Sequence, residues 1–331
     1  MNTVSSDIDF VITWVDGDDP DWQVLYRQYT ALEGKPYDKS GSRYRDWGLL
    51  RYWFRSVELY APWVRTIHFV TCGQCPKWLN TNHPKLNFVK HQDYIPGQYL
   101  PTFNSNPIEL NIHRIKGLSE HFVLFNDDIF VVSPVKPSDF FIKGIPRDVA
   151  IRNIPMLYQI GHINLNNINI INREFDFNKQ FKKNIWKWLN YRYGIHSLRS
   201  LFFLPFTEFT GVKNCHVANA FLKSSFEIVW NKYGEELDKT CLNRFRSISD
   251  VNQWLFKYWQ IVSGSFYPQW INYGITYGIN HTSRLQEDLA THRRKLLCLQ
   301  DDEGLSDISG LKEEVLNIFQ QRFPEMSSFE L

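Results

Sequence analysis

Cysteine is scarce in this sequence. Five cysteines in 331 residues, at positions 72, 75, 215, 241 and 298, cannot supply the disulfide framework of a small secreted fold. Cys72-Gly-Gln-Cys75 is a lone CxxC, and a structural zinc site would need a second pair at matching spacing. No uncharged run reaches the ~18 residues that a membrane-spanning helix requires. The N-terminal MNTVSSDIDF lacks the basic and apolar stretches of a secretory leader, so a cytoplasmic location is expected, peripheral to the inner face of the membrane at most. The net charge is only +2, which excludes a general nucleic-acid binder, and no nucleic-acid partner is expected. Neither a GxGxxG fingerprint nor a P-loop occurs. A diphosphate bound by this chain would not rest in a glycine cradle, and a cation is its natural partner.

Aromatic residues, by contrast, are abundant: 12 Trp, 16 Tyr and 25 Phe give ample material for a core, and their faces also suit sugar rings and nucleobases. Residues 8–14 (IDFVITW) form a short apolar run rich in β-formers and predict a buried strand. The turn that follows ends in Asp19-Pro20, an N-cap followed by proline at the first helical position, and predicts a helix over 20–32. Residues 34–41 read as a polar, glycine-bearing loop. Leu49, Leu50, Trp53, Val57 and Tyr60 recur at helical spacing within 46–60. Residues 64–71 and 86–89 predict a second and a third strand, 104–117 a helix, and 122–125 a fourth strand. This alternation predicts an α/β fold with an open, doubly wound, mostly parallel sheet of Rossmann-like (GT-A-like) type and helical insertions. Further on, 218–230 and 250–259 predict helices, the second capped by Ser249 or Asp250, and the tail 304–331 predicts a final amphipathic helix.

Residues 121–132 (HFVLFNDDIFVV) hold the most informative feature: Asn126, Asp127 and Asp128 sit between apolar flanks. Unpaired buried charge is costly or neutralises itself, so the pair needs water or a cation. Asp16 and Asp18 follow the first strand as Asp127 and Asp128 follow the fourth. In open α/β sheets ligands bind beyond the carboxyl ends of the strands, so the two acidic groups can share one crevice. The bland alternative is a pair of solvated turns, the first capping the next helix. Residues 173–209 are different, mixing Lys182, Lys183, Lys187 and Arg192 with Trp186, Trp188, Tyr191 and Tyr193. They predict either an amphipathic helical insertion covering the sheet, or a contact for an acceptor, an anionic polymer or a membrane surface.

Four ordered blocks now stand out: IDFVITWVDGDDP at 8–20; a long second block from RYRDWGLLRYWFRSVELYAPWVRTIHFVTCGQCPKWLN at 43–80 through LPTFNSNPIEL at 100–110 to HRIKGLSEHFVLFNDDIF at 113–130; HVANAFLKSSFEIVW from 216 to NRFRSISDVNQWLF at 243–256; and KLLCLQDD at 295–302. In these the chain resembles the Stealth family of sugar-phosphate transferases, which includes bacterial capsule-polymer enzymes and the lysosomal-enzyme N-acetylglucosamine-1-phosphotransferase. It departs from the family pattern at Trp47, Leu49, Asn106 and Gln300, where Asn, Glu, His and Asn are usual.

The resemblance implies transfer of a hexosamine (N-acetylhexosamine) 1-phosphate from a UDP-sugar donor to a hydroxyl of a growing capsular or cell-surface polysaccharide, with a phosphodiester as product and UMP as leaving group. It implies Mg²⁺ (or Mn²⁺) as cofactor, held by Asp127, Asp128 and Asp301. His216 is then the general base, with a phospho-His intermediate as the weaker alternative, and Arg246 the fork on the phosphate. Asp16 and Asp18 join the catalytic set. Trp14 and Val15 are placed at the uracil, and Arg45, Asp46, Asn104, Ser105 and Asn126 around the donor. The expected organisation is a nucleotide-sugar-binding α/β region at 1–150, a basic and aromatic insertion and candidate acceptor region at 151–212, completion of the catalytic core at 213–303 and a helical tail at 304–331. Two other functions stay open: a metal-dependent glycosyltransferase that releases UDP, and a catalytically silent glycan-binding protein.

Overall fold

The computed structural model describes residues 7–33, 41–155, 161–213 and 215–331; all of the expected polar loop except Gly41 lies outside them. The strands are β1 Ile8–Thr13, β2 Ile67–Thr71, β3 Leu86–Lys90, β4 His121–Phe125, β5 Ile129–Val131, β6 Phe141–Ile142, β7 Ile145–Asp148, β8 Asn219–Leu222, β9 Tyr267–Pro268, β10 Gly274–Gly278 and β11 Leu296–Gln300. The helices are α1 Pro20–Glu33, α2 Leu50–Tyr60, α3 Ser105–Leu110, α4 Pro137–Phe140, α5 Gly161–Glu174, α6 Phe177–Lys183, α7 Ile185–Trp188, α8 Ser197–Phe202, α9 Lys223–Cys241, α10 Trp254–Val262, α11 Thr282–Thr291 and α12 Ile308–Arg322.

The principal sheet has the order β3-β2-β1-β4-β8. β1 to β4 run parallel and β8 is antiparallel to β4. β1 is central and covered on both faces, which is why its sequence reads as a continuous apolar run. Its one charge, Asp9, is fully buried and accepts from the Arg65 guanidinium (2.8 and 2.5 Å), the Ser119 amide (2.8 Å) and, across 3.0 Å, meets His68 Nε2. Burial alone would raise this carboxyl; the His68 and Arg65 hydrogen bonds outweigh it and hold the group below its ordinary range. One core lies on each side of the sheet. The first is built around Phe10, Trp53, Phe125 and Phe319, the second around Val11, Phe122, Trp188 and Phe256.

A second sheet, β10-β11-β5, joins the first through the chain itself. β4 ends at Phe125, residues 126–128 turn, and β5 begins at Ile129 antiparallel to β11. The acidic knot is therefore the junction where one continuous stretch leaves one sheet and enters the other.

Several expected elements are altered. Helix α2 starts at Leu50 rather than 46, because Gly48 adopts a φ of +73° that ends any helical run before it. The helix expected over 104–117 is only α3: Asn111 turns its side chain back to the Pro107 carbonyl, and a short 3₁₀ turn follows. The helix expected from 218 begins at Lys223; residues 219–222 are strand β8, recruited by pairing with β4. The helix expected from 250 begins at Trp254, and neither Ser249 nor Asp250 caps it. Asp19 does cap α1, accepting from the Trp22 amide at 2.8 Å. The tail forms α12 and then returns. Glu330 makes a two-pronged ion pair with Arg55 of α2 (2.7 and 2.9 Å), which fastens the C-terminus to the core.

Candidate active site

A cleft of about 330 Å³ opens beyond the carboxyl ends of β1 and β4. Trp14 and Val15 from the end of β1, Asn126, Asp127 and Asp128 from the sheet junction, Ser105 from α3, His216 from the approach to β8, and Arg246 from the loop after α9 all line it. Residues far apart in sequence converge because the switch between the two sheets lies at its floor.

Asp128 is the hub. Its Oδ2 accepts from the buried Cys298 thiol at 3.3 Å and lies 3.8 Å from His216 Nε2. The ligand-type atoms of Asp128, His216 and Cys298 all fall within 4.8 Å of one another. Burial, and then the Asp128 charge, push the Cys298 thiol well above its ordinary value, so it acts here as a hydrogen-bond donor. Asp128 Oδ1 is buried and has no hydrogen-bond partner. Burial pushes the Asp127 carboxyl up to about 8, and the neighbouring Asp128 and Asp46 charges add to the effect.

His216 is held by strand β10. The Thr276 hydroxyl reaches the carbonyls of both Cys215 and His216 at 3.0 Å. His216 itself has a φ of +39°, a region rarely used by residues with a Cβ and concentrated at functional sites. Arg246 donates to the Ser105 hydroxyl at 2.9 Å. Its loop is anchored by the buried Asp250, whose carboxylate accepts from Asn104, Asn106 and Asn243 side chains (2.9, 3.0 and 2.8 Å) and from the Ser247 amide (3.0 Å). Replacing Asp250 by Ala would leave these donors without their acceptor. Stability in urea should fall by on the order of 3 kcal/mol, and Arg246 should lose its register. A variant with unchanged stability would show that the network does not hold the loop.

The remaining expected site residues take other places. Asn104 is fully buried, caps α3 and belongs to the Asp250 network instead of facing the cleft. Asp16 and Asp18 form an Asx turn, with the Asp18 amide donating to Asp16 Oδ1 at 2.9 Å; Asp18 is exposed, and neither lines the cleft. The intervening Gly17 donates to the Tyr44 carbonyl at 2.9 Å, and a Cβ there would meet that oxygen at 2.2 Å. Asp46 accepts from the Gly48 amide at 3.0 Å, and its charge reaches Asp127. Asp301 is not grouped with Asp127 and Asp128. Its carboxylate is taken by Arg45 (2.8 and 2.9 Å) and by the Trp47 indole (3.0 Å), so Arg45 is also occupied there. The unusual Trp47 is thus a partner for Asp301.

The cleft contains residues that sequence reasoning passed over. Arg43 and the aromatic wall of Trp22, Tyr44 and Phe103 line it. So do His91, lowered to about 4 by burial, and Glu109, raised to about 8 by burial. Glu109 falls inside the expected helix with Ser105, Asn106 and His113 on its own face, so its sequence carries no signal of the burial that matters. Its raised value carries a pH signature. The unfolded chain loses this proton near the ordinary 4.5 and the folded one near 8, so the contribution is full below about 4.5 and is lost as pH rises towards 8. Glu109→Gln should flatten the fall in stability between these values, gaining up to about 3 kcal/mol on the native protein at pH 7. Parallel denaturation curves at all pH values would refute this.

A mixed α/β fold with acidic, basic and imidazole groups converging on one cleft beyond its strand ends has the make-up of an enzyme active site. Comparison with known proteins makes this specific. The model for Stealth protein CR2, conserved region 2, matches residues 43–148, and that for Stealth protein CR1, conserved region 1, matches residues 6–32. A capsular polysaccharide phosphotransferase WcwK of Streptococcus pneumoniae is 44% identical over 326 residues, covering 98% of this chain and 99% of that protein. The exopolysaccharide phosphotransferase cps2G of Lactiplantibacillus plantarum is 37% identical over 327 residues, with 98% and 96% covered. The receptor polysaccharide phosphotransferase WefC of Streptococcus oralis is 38% identical over 331 residues, with 98% and 99% covered. The chain belongs to the Stealth family and is a phosphotransferase.

Proposed function

We propose that this enzyme transfers a hexosamine 1-phosphate (N-acetylhexosamine 1-phosphate) from a UDP-sugar to a hydroxyl of a capsular or cell-surface polysaccharide, releasing UMP. The observation that carries the reading is the convergence of Asp127, Asp128, His216, Arg246 and Ser105 on one cleft at the sheet junction. The acceptor class follows the full-length relatives, whose names specify capsular, exo- and receptor polysaccharides. The strand order β3-β2-β1-β4, whose succession reverses direction between β1 and β4, supports the Rossmann-like (GT-A-like) reading and a nucleotide donor at the strand ends. Trp14, and Val15 packed against the aromatic wall, offer apolar faces for the uracil.

In this reading the acceptor oxygen attacks the phosphorus that bears the sugar. The bond from that phosphorus to the bridging oxygen breaks, and UMP departs. His216 takes the hydroxyl proton, and the Asp128 carboxylate lies beside it, 3.8 Å from Nε2. The Arg246 guanidinium, aimed by Ser105, holds equatorial oxygens as charge develops on them. The residues fit a divalent cation. Asp128 Oδ1 is buried without a partner, Asp127 lies beside it, and oxygen donors suit Mg²⁺ or Mn²⁺. Bound there, the ion would neutralise diphosphate charge.

Incubation with a panel of UDP-sugars, Mg²⁺ and an oligosaccharide acceptor tests the assignment. The product should show the phosphorus resonance of a phosphodiester. An acceptor extended without phosphorus would instead establish a glycosyltransferase.

A further inference from the structure

Residues 177–207 carry six cations, Lys179, Lys182, Lys183, Lys187, Arg192 and Arg199, and no Asp or Glu. The whole chain has a net charge of only +2, so everything outside this segment sums to −4. Lys179, Lys182, Lys183 and Arg199 are exposed, whereas Lys187 is tied to the Gly264 carbonyl and Arg192 stacks on aromatic rings.

The same segment turns its apolar side chains outward. Ile195 is 77% exposed, Leu198 60% and Phe202 76%. They recur at helical spacing along one face of the run ending in α8, while Ser200 on the opposite face is fully buried and accepts from the Arg152 amide at 3.1 Å. This arrangement inverts the usual pattern of a surface helix. Leu204 and Phe206, just beyond, are about half exposed, as is Trp186 before it. The backbone that presents them is rigid. The Arg152 guanidinium is buried beneath and donates to the carbonyls of Phe203 (2.5 Å), Phe206 (3.2 Å) and Glu208 (2.8 Å). An apolar face held outward by a buried arginine is not a helix left over from core packing.

We infer that this segment is a docking surface for an anionic lipid bilayer, its outward Ile195, Leu198 and Phe202 entering the headgroup boundary while Lys182, Lys183 and Arg199 meet lipid phosphates. Projecting apolar groups and exposed cations in one segment, with its acids only at the flanks (Asp176 and Glu208), are the chemistry of a peripheral membrane contact. A polysaccharide would be gripped by aromatic faces and hydrogen-bonding side chains, and it offers nothing for Ile195 or Leu198. A second copy of the chain would set two like-charged segments against each other. No helix among the described residues is long and apolar enough to cross a membrane, so attachment through this surface would be peripheral. The inference does not depend on the proposed donor or leaving group.

Sedimentation of the full chain with vesicles tests it. Binding to vesicles containing phosphatidylglycerol should exceed binding to pure phosphatidylcholine by about tenfold or more and weaken with salt. Ile195→Ser/Leu198→Ser/Phe202→Ser should lower binding by about tenfold or more. Lys182→Glu/Lys183→Glu/Arg199→Glu should abolish the preference for phosphatidylglycerol. Both variants should keep native thermal unfolding and native turnover of a soluble acceptor, because none of these residues lines the cleft. Equal binding to both vesicle types, or undiminished binding by the apolar variant, would overturn the inference. It would also fall if light scattering showed a dimer that the apolar variant dissociates, since the surface would then join two copies. Tight binding of a soluble polyanionic glycan that only the charge variant loses, without vesicle binding, would make the segment a polymer track.

Discussion

Asp127→Asn/Asp128→Asn should turn over at least about 10³-fold more slowly than the native enzyme and should no longer respond to Mg²⁺ or Mn²⁺. The expectation rests on Asp128 Oδ1, buried without a partner, and on Asp127 beside it, which burial first, and then the Asp128 and Asp46 charges, raise to about 8. Two carboxylates so placed oppose a donor diphosphate unless a cation lies between them. Chelation should therefore stop the native enzyme, and added metal should restore it. The variant should fold at least as well as the native protein above pH 8. The Asp127 proton leaves the folded chain near 8 but the unfolded chain near 3.8, so its contribution to stability declines across that window and amide substitution removes the decline. Native turnover by the variant in chelator would sink the metal assignment.

The second large effect is expected at the base and the clamp. His216→Ala should cost about 10²–10⁴-fold in kcat. Arg246→Ala should cost about 10²–10³-fold. In both, the loss should fall mainly on kcat, because the proton transfer and the charge on the equatorial oxygens belong to the transition state. His216 is about one-third exposed, and Arg246 is half-buried with Ser105 as a side-chain partner, so neither replacement opens a core cavity. Thermal unfolding should shift little. A variant that keeps near-normal turnover would show that its residue has been misassigned, and one inactive only because it unfolds would return the residue to a structural role.

Much of this architecture was legible in the sequence, for identifiable reasons. β1, β2 and β4 are covered parallel strands, so each reads as an apolar run whatever its partners, and the edge strand β3 shows through Leu86, Phe88 and Val89. The second sheet was not read, because β5 is only the tail of an apolar stretch and its partner β11 lies far along the chain. Strand β8 hid for a similar reason: its four residues run straight into α9, and only pairing with β4 separates them. Within the site, the acidic knot was conspicuous because charge stands out between Phe125 and Ile129. Glu109 and His91 were invisible because their significance comes from burial beside a cleft formed by other segments. Asp301 misled in the opposite direction. It follows a strand end as Asp127 does, but Arg45 and Trp47 had already claimed it.

The identity of the released nucleotide tests the central claim most directly. If the acceptor attacks phosphorus, the sugar's C1–O bond is never broken, and its anomeric configuration passes unchanged into the product without a glycosyl-enzyme intermediate. Chromatography of the reaction should then show UMP accumulating mole for mole with acceptor consumed, and no UDP. Release of UDP in step with acceptor extension would contradict the account and place the bond cleavage at the sugar carbon.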